Sequence, residues 1–285
     1  MRWQGREQSS NVEDRRGMSV RKVGGIGGIG AVVVALISIY FGQDPSAVLQ
    51  GLDQGETVTE PGAPYQESAR ESEARQMISV VLKDTEQTWH EIFGAANKNY
   101  IEPHLVMFTG AVQSACGTAS SAVGPFYCPN DSKVYIDLGF FDELKSRFGA
   151  PGDFAQAYVV AHEVGHHVQN LLGTSDKVHS MRQRQSEKEA NAMSVRLELQ
   201  ADCFAGVWAN HADASRQLLE SGDIAEGLAA ATAIGDDRLQ MQARGYVAPE
   251  SFTHGSSEQR VRWFKRGMQS GRVNDCNTFA AGGTL

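Results

Sequence analysis

The chain predicts an α+β domain, mostly helical with a small sheet, behind one N-terminal transmembrane helix. Three observations carry this expectation. Residues 23–43 hold no charged side chain, a stretch of about 30 Å as a helix and long enough to cross a bilayer. Two later segments, from about 154 to 172 and from Ser186 to Asn210, read as long helices, the first with apolar residues recurring every three or four positions. Upstream of them, Lys133-Val134-Tyr135-Ile136-Asp137-Leu138 alternates and is rich in β-branched residues, the pattern of a strand. The strand has two possible places, at an exposed edge that could hold extended substrate or in the interior of the sheet.

Taken from the N-terminus, residues 1–22 carry Arg2, Arg6, Arg15, Arg16, Arg21 and Lys22, and no Lys or Arg then follows until Arg70. The positive-inside rule therefore makes residues 1–22 a cytoplasmic tail and puts the large domain outside, periplasmic or extracellular. A cleaved signal peptide is the alternative, but no small-x-small site follows the apolar core. Residues 44–69, with Pro, Gly, Gln and acids, read as a linker. The domain at 70–285 opens on a helix with Met77, Val80, Val81, Trp89, Ile92 and Phe93 facing a core. Four cysteines suit two disulfides in an exported domain, with three pairings open; Cys116 to Cys128 would close a short loop, and Cys203 could then reach Cys276. A net charge of −8 argues against a nucleic-acid partner. Oligomeric state is not legible.

Residues 162–167 read His-Glu-Val-Gly-His-His, an HExxH motif inside the first long helix. Side chains four apart on a helix lie one turn above each other, so His162 and His166 can offer two imidazoles to one zinc ion. Glu163, beside the first ligand, is placed to take a proton from water that the zinc activates. Asp153 with Gln156 forms a capping pattern at the start of this helix, after Pro151-Gly152, and Gly173 suits its C-terminal end. Gly165 points to a close backbone approach near the site. His167 lies about 100° around the helix from His166 and cannot easily share the same ion, so it reads as structural.

Catalytic zinc takes three protein ligands and leaves one position free. The HExxHxxGxxH arrangement is excluded by Gln169 and Leu172, and a downstream G-T-x-x-D pattern fails at Lys177. Glu198 and Asp202, an E-x-x-x-D pair followed by an apolar run through Trp208, fit better. Glu198 is the expected third metal ligand, ahead of His179 and His211, and Asp202 the carboxylate that orients a ligand histidine. The polar segment from Thr174 to Lys188 reads as a loop beside the cleft.

With these residues the chain resembles the bacterial family of membrane-anchored neutral zinc metallopeptidases, within the zincin group whose third ligand is a glutamate. The resemblance runs over almost the whole chain. Besides His162 to Gln169 and Glu198 to Gly206, it rests on Arg2-Trp3, on Ser10 to Gly17, on Ile234 to Gln240 and on His254 to Arg260. It implies a zincin-like fold, one Zn2+, a gluzincin-like mechanism, a polypeptide substrate and a place in the bacterial inner membrane as a single-pass protein. It also implies an oxyanion donor, for which His254 or Tyr246 is available; His254 precedes a helix opened by Ser256 or Ser257. The expected activity is zinc-dependent cleavage of exported or membrane-proximal polypeptides with Glu163 as general base. Two alternatives stand beside it: a membrane-anchored zinc-binding scaffold without catalysis, and a zinc hydrolase of a non-peptide bond such as a cell-wall amide.

Overall fold

The computed structural model describes residues 1–22, 57–61 and 65–280. The expected membrane span 23–43 and most of the linker 44–69 lie outside the described residues. Among the described residues no helix is long and apolar enough to cross a membrane. The strands are β1 (Val12–Asp14), β2 (Met18–Lys22), β3 (Thr57–Pro61), β4 (His104–Phe108), β5 (Ala111–Ser114), β6 (Gly117–Ser120), β7 (Phe126–Cys128) and β8 (Lys133–Asp137). The helices are α1 (Ala69–Ala95), α2 (Gly139–Ser146), α3 (Asp153–Leu171), α4 (Thr174–Arg182), α5 (Glu187–Arg216), α6 (Asp223–Ala233), α7 (Asp236–Arg244) and α8 (Ser257–Ser270). The architecture is mostly helical with a small sheet, as expected.

The main sheet has the order β1-β4-β8-β7, with β1, β4 and β8 parallel and β7 antiparallel to β8. Leu105, Met107, Val134 and Ile136 face the helices, while Val106, Phe108 and Tyr135 pack on the other face with Val112 and Cys128. Burial on both faces suits parallel strands. Of the two places open to the 133–138 segment, the interior one holds: β8 is paired on both sides, and the edges are β1 and β7.

The motif helix is capped differently from the sequence reading. Gly152, not Asp153, is the N-cap, and the carboxylate of Glu226 on α6 accepts from the Phe154 N–H at 3.1 Å. A side chain at Gly152, whose φ is +119°, would run into that carboxylate. Gly173 ends the helix in the left-handed conformation. The segment expected to be a loop from Thr174 holds α4, and α5 extends past Asn210 to Arg216 from a Ser186/Glu189 capping box. The α1 helix is tied to α5 by Asp84, which accepts from Trp208 Nε1 at 2.8 Å and from two nitrogens of Arg216 at 2.7 and 2.8 Å.

Glycines set how closely the central helices approach. A Cβ on Gly165 of α3 would sit 3.0 Å from the Ala201 carbonyl of α5, so the crowding read from the sequence is present. Where α5 crosses α8, Gly206 and Gly267 face each other's helix backbone; a Cβ on Gly267 would lie 1.9 Å from the Cys203 carbonyl. The Cys203–Cys276 disulfide closes the same crossing, and Cys116–Cys128 ties the β5–β6 hairpin to β7.

The sequence reading sets residues 1–22 apart from the domain, but residues 1–16 are built into its body. The Met1 ammonium lies 2.9 Å from both oxygens of Asp153, 3.3 Å from Glu220 and 3.4 Å from Asp223. Trp3 is buried, Ser9 and Asn11 bond Glu86 of α1, and β1 adds a parallel strand beside β4. A charge pattern cannot reveal this, because arginines that pair with a folded surface look the same as arginines that face a cytoplasm. The stretch Ser10 to Gly17, which served only as a family marker, is therefore a structural element.

Burial disfavours charge on the Met1 amine, but its carboxylate partners outweigh that and raise its pKa above the usual 8.0. A raised amine pKa contributes stability that is full below about pH 8 and is lost as pH rises through the folded value. Nα-acetylation is expected to destabilise the chain by about 1–3 kcal/mol at pH 7, with the gap to the unmodified chain narrowing by pH 10; urea midpoints at both pH values check this. Gly267→Ala is expected to cost about 3 kcal/mol, because the methyl meets backbone that cannot move aside; an unchanged midpoint would show that the helices separate freely.

Candidate metal centre

The close approach at Gly165 brings one face of α3 against one face of α5, and three side chains meet there. His162 Nε2 is 3.1 Å from Glu198 Oε2, His166 Nε2 is 3.2 Å from His162 Nε2, and His166 Nε2 is 3.5 Å from Glu198 Oε1. The three expected metal ligands therefore converge, with all donor atoms within 4.8 Å of one another. Donors at the 2.0–2.1 Å bond lengths of tetrahedral zinc stand roughly 3.3 Å apart, so the set fits that ion.

Each imidazole is held by its other nitrogen. Asp202 Oδ1 is 2.8 Å from His162 Nδ1, and Gln169 Oε1 is 2.9 Å from His166 Nδ1. With Nδ1–H donating in both rings, both Nε2 atoms turn toward Glu198. Asp202 is fully buried, and Arg260 of α8 grips both its oxygens at 2.9 Å while also donating to the Tyr158 hydroxyl at 3.2 Å. Gln169 is itself fixed, donating to the Leu197 carbonyl at 2.7 Å. The sequence reading passed over Gln169 and Tyr158. Gln169 lies one turn after His166, and that spacing was the available signal. His167 is structural, as its angle implied: Nε2 is 2.6 Å from the Ile101 carbonyl and Nδ1 is 3.0 Å from the Tyr127 hydroxyl, which ties edge strand β7 to the motif helix.

Burial disfavours every charge here, so the directions that survive it are informative. His166 is held up at about 9 against burial by Glu198, and His162 is raised against burial by Asp202. Glu198 lies well below the usual carboxylate range in spite of burial, through the charges on His166 and His254, while Asp202 sits at about 2 through Arg260 and His162. Nitrogens that hold protons around an ionised carboxylate mark a place that attracts positive charge, as a cation site does. Glu163 differs: burial dominates and raises its carboxyl.

His162, His166 and Glu198 line one cleft of about 1110 Å³ with Glu163, His254, Phe126 and Tyr127. His254 is half-exposed, with Nδ1 3.4 Å from Asp236 Oδ1. Burial opposes its charging, but Glu198 and Asp236 raise its pKa. Its loop is set by two acids of α7: Asp236 Oδ2 accepts the N–H groups of Thr253, His254 and Gly255, and Asp237 accepts that of Ser257. The family stretches Ile234 to Gln240 and His254 to Arg260 are thus two halves of one construction. Tyr246 points outward under Arg244, His211 bonds the Gly271 carbonyl, and His179 lines the cleft outside the three-ligand set.

The family described as "Putative neutral zinc metallopeptidase" matches residues 1–279. The chain belongs to this family. It is 50% identical over 288 residues to the uncharacterized protein YpfJ of Escherichia coli K12, covering 98% of this chain and 99% of that one. It is 42% identical over 256 residues to the uncharacterized protein Rv2575 of Mycobacterium tuberculosis H37Rv, covering 86% and 85%. No solved structure matches the chain. Membership implies zinc, and the donor set above suits it.

Asp202→Asn keeps the shape of the side chain but weakens its grip on the His162 N–H. Zinc affinity is expected to fall 10- to 100-fold, as for other partners of metal-bound histidines; titration against a competing chelator measures it, and unchanged affinity would remove this role from Asp202.

Proposed function

We propose that the chain is a gluzincin-like endopeptidase that hydrolyses peptide bonds of polypeptides, with one zinc held by His162, His166 and Glu198. The observation that carries this reading is the convergence of those three donors on a cleft wall that also holds the buried Glu163 carboxyl. Zinc bound there supplies Lewis acidity, polarising a carbonyl and making water easier to deprotonate.

The chain's own residues account for the rest. Glu163 takes a proton from the attacking water and delivers it to the departing amine; a carboxyl raised by burial holds that proton better than an exposed one. His254 donates an N–H to the oxygen that gains charge, and the Asp236 and Asp237 contacts keep its loop in place for this. Among the described residues the site has three protein donors, which suits catalysis better than a closed structural centre with four. Among the described residues no strand pairs the outer side of β7, which supports an extended peptide, since an open edge can add a strand with little demand on sequence. Two disulfides support exported polypeptides as substrates.

The purified full-length chain is expected to hold one zinc and to cleave an unfolded protein. Glu163→Gln should keep the zinc and lower the rate by about 10²–10⁴. Zinc in both forms with cleavage by neither would favour a scaffold, and cleavage confined to cell-wall amides would favour the non-peptide hydrolase.

A further inference from the structure

We propose that residues 1–16 and the metal-binding body lie in one compartment, so that the chain between Lys22 and Thr57 leaves and rejoins on the same side of any membrane. This is independent of the proposed activity. It replaces the arrangement in which a cytoplasmic tail and an outside domain flank a single crossing.

Four contacts hold the segment to the body. The Met1 ammonium has no exposed surface and meets Asp153 and Asp223. The Arg2 N–H donates to the Leu218 carbonyl at 2.8 Å. Ser9 and Asn11 both donate to Glu86. Finally, β1 pairs with β4 from Val12↔Leu105 to Asp14↔Met107, which makes it an edge of the sheet that carries the cleft. Removal of the segment to another compartment would expose Trp3 and leave the buried Asp223 and its neighbour Asp153 without their cation.

The hairpin formed by β2 and β3 gives the second line of support. Lys22 pairs with Thr57, so the intervening residues start and finish beside each other.

The arginines behind the opposite reading are used by the fold. Arg6 Nη2 donates to the Arg216 carbonyl at 2.7 Å, Arg15 pairs with Glu13 at 2.6 Å, and the buried Arg16 bridges Asp14 and Glu67.

The test places a single added cysteine at Glu7 or at Glu258, side chains that are 69% and 84% exposed. Each full-length variant is made in bacteria and treated with a membrane-impermeant maleimide before and after permeabilisation, with the unsubstituted chain as background. Both cysteines should behave alike, labelled in intact spheroplasts or labelled only after permeabilisation. Labelling of one with protection of the other overturns the proposal. As a measurement on the unsubstituted chain, amides of Val12–Asp14 should exchange with deuterium as slowly as those of β4. Exchange at the rate of a free peptide would equally overturn it.

Discussion

The carboxylate of Asp202 is the point on which the rest of the structure turns. It has no solvent contact, so its charge has to be met by protein. Three groups meet it: His162 Nδ1–H and the Tyr158 hydroxyl from α3, and the Arg260 guanidinium from α8. One buried charge thus holds three helices in register and sets which nitrogen of His162 faces Glu198. The paired glycines at the α5–α8 crossing let the two backbones nearly touch beside the Arg260–Asp202 pair.

A second construction works at the rim. Asp236 and Asp237, at the start of α7, accept backbone N–H groups from the turn that carries His254. His167 does the same service on the other side of the cleft, bonding Tyr127 of the edge strand. Residues adjacent in sequence to the metal ligands therefore differ in task. His162 and His166 face the cleft, and His167 turns toward the sheet because one residue is a 100° rotation on a helix.

The N-terminal segment extends this logic to the opposite end of α3. Its ammonium supplies the cation for Asp153, the first residue of the motif helix, while Glu226 caps the Phe154 N–H. Acids gathered at a helix N-terminus gain from its dipole, and the chain's own first residue completes the balance. The start of the chain is thus a component of the body that presents the metal ligands.

By itself the sequence determined whatever depends on spacing along one element: His162 and His166 one turn apart, Glu198 and Asp202 one turn apart, the glycine that ends α3, and the start of α5 at Ser186. Such signals survive because helix geometry is local and periodic. It also contained the two disulfide pairings, though only among three alternatives. Only the tertiary structure decided that Gln169 aligns His166, that β8 lies inside the sheet, and that residues 12–14 join it. These depend on which groups from distant parts of the chain are brought within hydrogen-bond reach. A polar or charged side chain carries no mark in the sequence of the partner it will meet.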